Sequence, residues 1–568
     1  MNHFSDSRSS YERTHFKQLK TPSMKKNYFL KVLLITLIGL GTNVYGQTTT
    51  WTGTTSTNFN LSANWDNGNP DGTTKNVVIP NVANDPVITS DNILILGSFT
   101  LNASATLTIT SGGNFSQLGA VGSPTFTNNG SIIITSGSEF KTELDDAGTG
   151  SFTYNRNLAT TNWYLVSSPF EGQNIDTFIT AETPATSNSD VGLAPYLTAT
   201  NVWEYIQTGA SGSGNFITGK GYSVKLASAG DISFTGTLLT TDKTISLTTT
   251  GLGYNLIGNP YPIHLKSAEI LSRNTASLDS QTIWLWNQAT DSYEAKVSGV
   301  SWAIAPAQSF FVKSDGAAGD LEIQEGDQQS IDDSFQRTDL IPEMVLTLSN
   351  DSSSRQATIY YIDETTTGFD NGYDGPRFMA GDNSFAFYTH LVSDSEGVDY
   401  DIQSLPTDNY ENMVIPIGIN AVSGSAITID ASITNIPTGI NVYLEDKENN
   451  SFSLLDAQSN FMTTLDSDLN GIGRFYLHTT SELLSSDDVL NNNNISMYIP
   501  SRQNLRVVGV QNGTANIHIY NILGKEVFNG NFEGAGMNDI QLPNIKDGIY
   551  IINLTTDKGT INKKVIIQ

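Results

Sequence analysis

The chain has 568 residues, more than one core can organise, so we expect three to five domains. Only 15% of residues are charged, and 49 glycines accompany long Thr/Ser/Asn-rich tracts, a composition that favours short strands and turns over amphipathic helices. The absence of cysteine excludes disulfides and thiolate sites, and a formal net charge of -28 argues against nucleic acid or anionic membranes as partners. We therefore predict an all-β, multidomain protein.

The N-terminus has the features of a secretory signal peptide. From Met24 it reads MKKNYFLKVLLITLIGLGTNVYGQ, with a basic start, an apolar run and small residues before Gln47. A membrane anchor fits less well, because the run 32–40 is short for a hydrocarbon core of ~30 Å. We expect residues 1–46 to be an upstream extension plus a signal peptide read by the general secretory machinery. The mature chain then has 22 Lys/Arg against 55 Asp/Glu and no transmembrane span.

Residues 47–149 are predicted to form a tryptophan-containing cap followed by β-solenoid-like repeats. The opening, with Trp51 and Trp65 among turn formers, resembles that of many secreted Bacteroidota surface proteins. The segments TITSGGNF and IITSGSEF share Ile-Thr-Ser-Gly-x-x-Phe at an offset of 25 residues, so that Phe115 matches Phe140. This offset is about one solenoid coil, in which each turn buries its apolar face by stacking on the next. A plain β-meander is the alternative.

Residues 150–330 are predicted to hold two divergent β-rich half-modules of about ninety residues each. Three pairs of segments match in order: NWYLVSSPF (162–170) with GYNLIGNPY (253–261), VWEY (202–205) with IWLW (283–286), and GYSVK (221–225) with SFFVK (309–313). The string LIGNPYP with the following IWLWN and APAQSFFV resembles a domain common in exported Bacteroidota proteins. We interpret the region as a duplicated module.

The duplication places two aromatic pairs in equivalent positions, Trp203 with Tyr205 and Trp284 with Trp286. Alternate residues of a strand project to the same face, so an exposed pair would stack on sugar rings. These four residues are therefore candidate glycan-stacking positions. Packing in the core is the alternative for the same pattern.

Alternating segments between 335 and 480, with frequent turns, predict an antiparallel β-sandwich, followed by a polar linker at 481–494. The segment FDNGYDGPRF (369–378) with the later GRFYL resembles the β-sandwich that usually precedes a sorting domain in such proteins.

Within the sandwich, DSDLNG places Asp466, Asp468 and Asn470 at alternate positions, like the first half of a calcium loop. Leu477 stands where a twelfth-position Glu would complete the shell, so any binding should be weak. A hairpin tip rich in Asp and Asn explains the same letters without metal. Calcium is the one cofactor that the sequence suggests.

The last 74 residues, from Ile495, form a separate run of short strands with 7 Lys/Arg against 5 Asp/Glu. The order IYNILGKEV, GIYIINL and KKVII resembles the type A C-terminal sorting domain of the type IX secretion system of Bacteroidota. One departure is MYIPSR, which stands where that family often has Tyr-Pro-Asn-Pro. A small antiparallel β-sandwich is the expected fold over 495–568.

The resemblance implies a delivery route and partners. The outer-membrane translocon and the attachment machinery would recognise the domain, which is usually removed as the cargo is fixed to the surface or released. The chain would then be secreted or lie at the outer-membrane cell surface, via the periplasm. Carried over to this chain, the sorting motif comprises Gly524, Lys525, Gly548, Tyr550, Lys563 and Lys564.

No catalytic residue emerges from the sequence, and we expect no enzyme. The chain has neither H-E-x-x-H nor G-x-S-x-G, and acidic pairs such as Asp399 and Asp401 fit solvated strand faces. We expect an adhesin-like or structural cargo. The alternative is a glycan-binding protein or a polysaccharide-degrading enzyme with an unrecognised site. A deep cleft with two facing carboxylates would favour the enzyme, and a flat aromatic strand face would favour binding.

Overall fold

A computed structural model describes residues 46–568 except for 120–122, 318, 331–340, 409, 412, 482–494, 502, 511–512, 534–535, 557–558 and 568. Every element described below lies in one compact unit, Thr48–Gln568. The predicted signal peptide lies almost entirely outside the described residues. Within the described part of the chain, no helix is both long and apolar enough to cross a membrane.

The first region is a three-faced parallel β-solenoid. A 3-10 turn at Ser62–Asn64 and the buried rings of Trp51 and Trp65, 5.1 Å apart, close its first coil. The strands are β1 (Thr48–Thr50), β2 (Asn76–Ile79), β3 (Val87–Ile88), β4 (Asn92–Ile95), β5 (Phe99–Leu101), β6 (Thr106–Ile109), β7 (Asn114–Gln117), β8 (Phe126–Asn128), β9 (Ser131–Thr135), β10 (Glu139–Thr142) and β11 (Ser151–Leu158). The three faces have the orders β1-β2-β5-β8, β3-β6-β9-β11 and β4-β7-β10.

The repeated motif stacks in register from one coil to the next. Phe115 pairs with Phe140 in parallel strands, and their rings stack at 5.1 Å with an interplanar angle of 1°. Gly112 and Gly137 both have positive φ, and the Gly112 amide donates to the Gly137 carbonyl at 2.8 Å. The offset of 25 residues is therefore one coil, and the parallel pairing excludes the β-meander.

The next region contains two half-modules of the same topology. The first has β12 (Tyr164–Val166), α1 (Ile175–Glu182), β13 (Thr186–Ser187), β14 (Asp190–Val191), β15 (Leu193–Leu197), β16 (Val202–Trp203), β17 (Tyr222–Val224) and β18 (Gly230–Gly236). The second has β19 (Lys243–Ser246), β20 (Tyr254–Gly258), β21 (His264–Lys266), α2 (Ser267–Arg273), β22 (Thr282–Asn287), β23 (Ser292–Val297), β24 (Ala303–Ile304), β25 (Ser309–Lys313), β26 (Asp320–Ile323), a 3-10 turn (Glu325–Asp327) and β27 (Gln328–Gln329). The main antiparallel sheets, β12-β17-β15-β16 and β20-β25-β22-β23, have matching strand orders.

The two half-modules meet through equivalent residues. Val166 bridges to Gln308 and, reciprocally, Lys220 bridges to Ile257, as expected for a contact with approximate twofold symmetry. At its centre, a Cβ built on Gly258 would lie 2.2 Å from the Cβ of Ser167, the residue at the same place in the first half. The small residues before Pro169 and Pro260 are thus required by the approach of the two backbones.

The predicted equivalence of Trp203 and Trp284 is wrong. Trp203 lies in the fourth strand of its sheet, opposite Tyr196, whereas Trp284 lies in the third strand, opposite Phe311. The counterpart of the Tyr196–Trp203 pair is Trp286 opposite Tyr293. Aromatic residues recur on neighbouring strands here, and the sequence match joined two strands that occupy different positions.

The sandwich region consists, within the described residues, of one eleven-stranded sheet that folds around a single apolar core. Its order is β36-β35-β38-β33-β31-β32-β29-β28-β34-β37, with β30 beside β32. Contrary to the prediction of a fully antiparallel sheet, β29 and β32 pair in parallel, because the long segment 362–399 connects them as a crossover. The strands are β28 (Glu343–Ser349), β29 (Ser354–Tyr361), β30 (Gly375–Pro376), β31 (Ala386–Thr389), β32 (Tyr400–Leu405), β33 (Met413–Ala421), β34 (Ala426–Thr434), β35 (Asn441–Asp446), β36 (Ser451–Leu454), β37 (Phe461–Thr464) and β38 (Leu469–Thr480).

The C-terminal domain is a small two-sheet sandwich with its own core. Its sheets have the orders β39-β40-β43 and β42-β41-β44-β45. The strands are β39 (Ser496–Ser501), β40 (Asn504–Val510), β41 (Thr514–Asn521), β42 (Glu526–Glu533), β43 (Gly536–Gln541), β44 (Gly548–Thr556) and β45 (Gly559–Ile567).

Replacing Phe140 by Ala should remove one member of the stacked column inside the solenoid. We expect the local free energy of opening around β7 and β10 to fall by about 3–5 kcal/mol, since a large buried ring leaves a cavity. Native-state hydrogen exchange of the mature chain measures this directly. Phe369→Ala is the matched control, because Phe369 is 45% exposed and should change little. Equal effects of the two substitutions would contradict the stacked core.

Candidate binding cleft

The aromatic residues predicted to stack on glycans do not form one exposed face. Trp284 is only 1% exposed, and its Nε1 donates to the carbonyl of Pro376 at 2.9 Å, so it offers no face to a sugar ring. Trp203 packs edge-on against Tyr196, and Tyr205 packs against Trp163. Trp286 is half-buried and is the one of the four predicted aromatics that reaches the cleft described below.

An aromatic cluster joins the second half-module to the sandwich. Phe378 of the sandwich region lies 4.1 Å from Tyr293 and 4.4 Å from Tyr254, measured between ring centroids. The Tyr254 hydroxyl accepts a hydrogen bond from the Met379 amide at 3.1 Å, and burial raises its pKa to about 12. These contacts hold Tyr293 of the β22–β23 hairpin and Tyr254 of β20 against the segment that follows β30.

A cleft of about 210 Å³ opens between that hairpin and the sandwich. The hairpin supplies one wall, the start of β29 and the loop 381–383 supply the others, and Asp401 and Ile402 of β32 lie between them. The polar and aromatic lining residues most relevant to binding are Trp286, Glu294, Arg355, Arg377, Asn383 and Asp401.

Asp401 has an unusual electrostatic environment. Burial raises the pKa of its carboxyl group to about 7, and the positive charge of Arg377 opposes that shift without cancelling it. Asp399 and Glu294 raise the pKa further by charge repulsion. The raised pKa favours the protonated carboxyl group, which can both donate and accept a hydrogen bond.

Arg377 is the buried cation of the cleft. Its side chain is 8% exposed and its guanidinium lies over the Tyr388 ring at 5.2 Å. The Nη2 group donates to Asn383, while Nη1 lies 3.6 Å from Asp399. Among the described residues, buried Nη1 has no hydrogen-bond partner, so it is a donor with unused capacity.

Glu294 and Arg355 complete the charged lining. Glu294 accepts from the Asn287 side chain and forms an ion pair with Lys296 at 3.2 Å. The Arg355 guanidinium donates to the carbonyl of Thr290 at 3.0 Å, which ties β29 to the β22–β23 hairpin. Burial lowers the pKa of Arg355.

The sequence-based interpretation of Asp399 and Asp401 as solvated residues is wrong. Asp399 accepts from His390 at 2.9 Å and pairs with Arg377, and Asp401 lies in the cleft. The alternate spacing of the two aspartates, one just before β32 and one within it, was the available signal in the sequence. Their partner, Arg377, comes from a loop about twenty residues earlier, which strand periodicity does not reveal.

The three predicted calcium ligands lie at the turn between β37 and β38 and at the start of β38. The Asp468 carboxylate accepts from the Ser423 amide at 2.7 Å, and Asn470 lies in β38 opposite Asn420. Asp466 is exposed, and its carbonyl accepts from the Ser423 hydroxyl at 3.1 Å. In the described ranges, no group of three or more His, Cys, Asp or Glu side chains is placed to hold a metal. Calcium binding at this hairpin end therefore stays a prediction.

The predicted sorting-motif residues lie in the C-terminal domain. Gly524 has a φ of +77° in the β41–β42 turn, and the Lys525 amide donates to the Asn521 side chain at 3.0 Å. Gly548 begins β44, and the buried Tyr550 donates from its hydroxyl to the Lys546 carbonyl at 2.6 Å. On β45, Lys564 is exposed, whereas Lys563 reaches the carbonyl of Ser395 in the sandwich at 3.4 Å.

One family model, described as Domain of unknown function (DUF8693), matches residues 50–298 and 290–479. The chain belongs to this family. The model of the Secretion system C-terminal sorting domain matches residues 499–568. This match confirms that the chain is a type IX secretion cargo, exported to the cell surface or secreted, and it begins at Ile499 rather than at the predicted Ile495. None of the curated proteins matches the chain.

Three solved structures share weak similarity. Dimeric latent PorU from Porphyromonas gingivalis is 11% identical with a TM-score of 0.13, over 44% of this chain and 31% of that one. A polysaccharide lyase is 5% identical with a TM-score of 0.12, over 40% and 39% of the two chains. The BSP domain of a biofilm associated protein is 8% identical with a TM-score of 0.15, over 72% and 96%. The chain thus spans well under half of the first two, and TM-scores this low carry no functional argument.

Replacing Asp401 by Asn should reduce the pH dependence of stability. The folded protein retains a proton on Asp401 that the unfolded chain releases, so the free energy of unfolding falls as pH rises from 3.8 to about 7. Urea denaturation at several pH values measures this dependence. Between pH 3.8 and about 7, the free energy of unfolding should fall less steeply with pH in Asp401→Asn than in the unsubstituted chain. The slope should not vanish, because burial also raises the pKa of Asp374 to about 7.

Asp382→Asn is the control for this measurement. Asp382 is exposed, and hydrogen bonds from Ser384 lower its pKa, so its contribution is lost as pH falls and not as pH rises. An unchanged slope in Asp401→Asn would contradict the buried carboxyl group.

Proposed function

We propose that this exported cargo is an adhesin-like surface protein that binds saccharide in the cleft between the second half-module and the sandwich. It acts without catalysis. The observation that carries the proposal is the combined lining of the cleft, in which Trp286 lies beside hydrogen-bonding groups of both signs, among them Glu294, Arg377 and Asp401.

The chemistry of this lining suits a hydroxyl-rich ring. Sugar hydroxyl groups both donate and accept hydrogen bonds, so they match carboxylates on one side and guanidinium groups on the other. The carboxyl groups of Asp401 and Glu294 and the half-buried guanidinium of Arg355 supply such partners. The half-buried ring of Trp286 would add apolar contact with the sugar ring.

A surface location supports the same proposal. The type IX route would carry the folded cargo through the periplasm and the outer membrane. The excess of acidic residues in the chain would help to keep the exported protein soluble. The parallel coils and joined β-modules suit a rigid spacer that presents a binding cleft away from its point of attachment.

A hydrolase is the second candidate, and one observation favours it. Glu294 and Asp401 line the same cleft, and burial raises the pKa of Asp401 to about 7, a range that suits a general acid. Incubating the mature chain with a panel of polysaccharides and measuring new reducing ends tests this candidate. Turnover that Asp401→Asn abolishes would replace the binding proposal by an enzymatic one.

Glycan-array screening of the mature chain, Gln47 to Gln568, tests the binding proposal. We expect at least one oligosaccharide to bind, and Asp401→Ala and Arg355→Ala each to weaken that binding about tenfold or more, because each removes a charged group from the cleft. Asp315→Ala is the control, since Asp315 is exposed and lies outside the cleft. Absence of binding, or equal binding by all three variants, would overturn the proposal.

Deleting residues 495–568 should trap the cargo in the periplasm of its native host. Protease shaving of intact cells and fractionation of the periplasm measure the distribution, with the full chain as control. Normal surface exposure of the truncated protein would contradict delivery by the sorting domain.

A further inference from the structure

One sheet of the sorting domain is buried on both faces. In β39, Met497 enters the domain's own core while its neighbour Tyr498 enters a different cluster, and both are at most 7% exposed. In β40, Val507 and Val508 divide in the same way and both are 0% exposed. A two-sheet sandwich standing alone would leave the outer face of this sheet in water.

The sandwich covers that outer face. The second cluster combines residues of both domains, with Tyr388 and Ile472 from the sandwich packed against Tyr498, Val508 and Met537. The Tyr498 ring also lies 6.0 Å from the His390 ring. By contrast, the other sheet of the sorting domain keeps outward isoleucines exposed, such as Ile549 and Ile551 at 44% each.

The fit is close at two glycines of the sandwich. Gly397 has a φ of +84°, and a Cβ built on it would lie 2.5 Å from the Tyr498 ring. A Cβ on Gly471 would lie 3.3 Å from the sulfur of Met537. The sandwich backbone thus leaves room for these two side chains of the sorting domain.

Charge supports the same contact. Lys563 of the sorting domain donates to the Ser395 carbonyl at 3.4 Å and lies near Asp394 and Glu396. Residues 495–568 hold 7 Lys/Arg against 5 Asp/Glu, while the sandwich region 335–480 holds 5 against 21. The slightly basic domain therefore meets a strongly acidic partner.

We propose that the sandwich is a specific docking surface for the sorting domain of its own chain, and that the two stay bound when the peptide connection between them is cut. A covered apolar face, two shaped glycine sites and an ionic contact are the elements of a stable interface. The sorting domain is then held by the cargo, while the exposed isoleucines of its β42-β41-β44-β45 sheet can meet other proteins.

Cleavage of the intact mature chain tests the docking. A recognition site for a sequence-specific protease is placed within 482–494, the purified chain is cut to completion, and the products are run on a size-exclusion column at micromolar concentration. We expect the two fragments to co-elute as one complex. Separate elution of two folded fragments would overturn the proposal.

Point variants of the cleaved complex locate the interface. Met537→Lys puts a charge into the apolar contact and should weaken the complex about tenfold or more. Ile551→Lys is the matched control on the exposed sheet and should leave affinity unchanged, with circular dichroism verifying that both variants fold. Equal affinities of the two variants, or weakening by Ile551→Lys alone, would overturn the assignment of the docking face.

Discussion

The approach of two backbones at Ser167 and Gly258 is the constraint on which the arrangement of the modules depends. Any side chain at Gly258 would collide with Ser167, so the twofold-like contact of the half-modules requires a residue without a Cβ there. The first half-module extends the solenoid, since β18 pairs with the last solenoid strand. The second half-module carries the β22–β23 hairpin, and the Phe140 amide of the solenoid donates to its Pro262 carbonyl at 3.0 Å. The approach of Ser167 and Gly258 therefore helps to position the hairpin that lines the cleft, although these two residues lie outside the cleft.

A chain of polar contacts also links the cleft to the docked sorting domain. Arg377 contacts Asp399, Asp399 contacts His390, and His390 contacts Ser395, whose carbonyl accepts from Lys563. Such groups are costly to bury unless each finds a partner, so the network holds the loops on both sides of the sandwich in one arrangement. The same residues thus connect the proposed binding site with the proposed docking surface.

Local patterns predicted much of the fold, because strand alternation, the 25-residue repeat and the motifs of the sorting domain all lie within short segments. Phe115 and Phe140 illustrate this, since repetition alone indicates that they stack. The candidate cleft was not predictable in the same way, because Glu294, Arg377 and Asp401 come from three separate elements of two modules. Trp203 and Trp284 show a related difficulty: similar aromatic letters recur on neighbouring strands, and only the pairing register separates them.

The most direct test of the account is hydrogen–deuterium exchange of the mature chain with and without the oligosaccharide that binds it best. We expect slower exchange at Ser292–Val297, at the start of Ser354–Tyr361 and at residues 381–383, the segments that surround the cleft. Exchange in the solenoid strands should not change. Protection confined to the solenoid or to the sorting domain, with none around the cleft, would contradict the claim that the joined modules create the binding site.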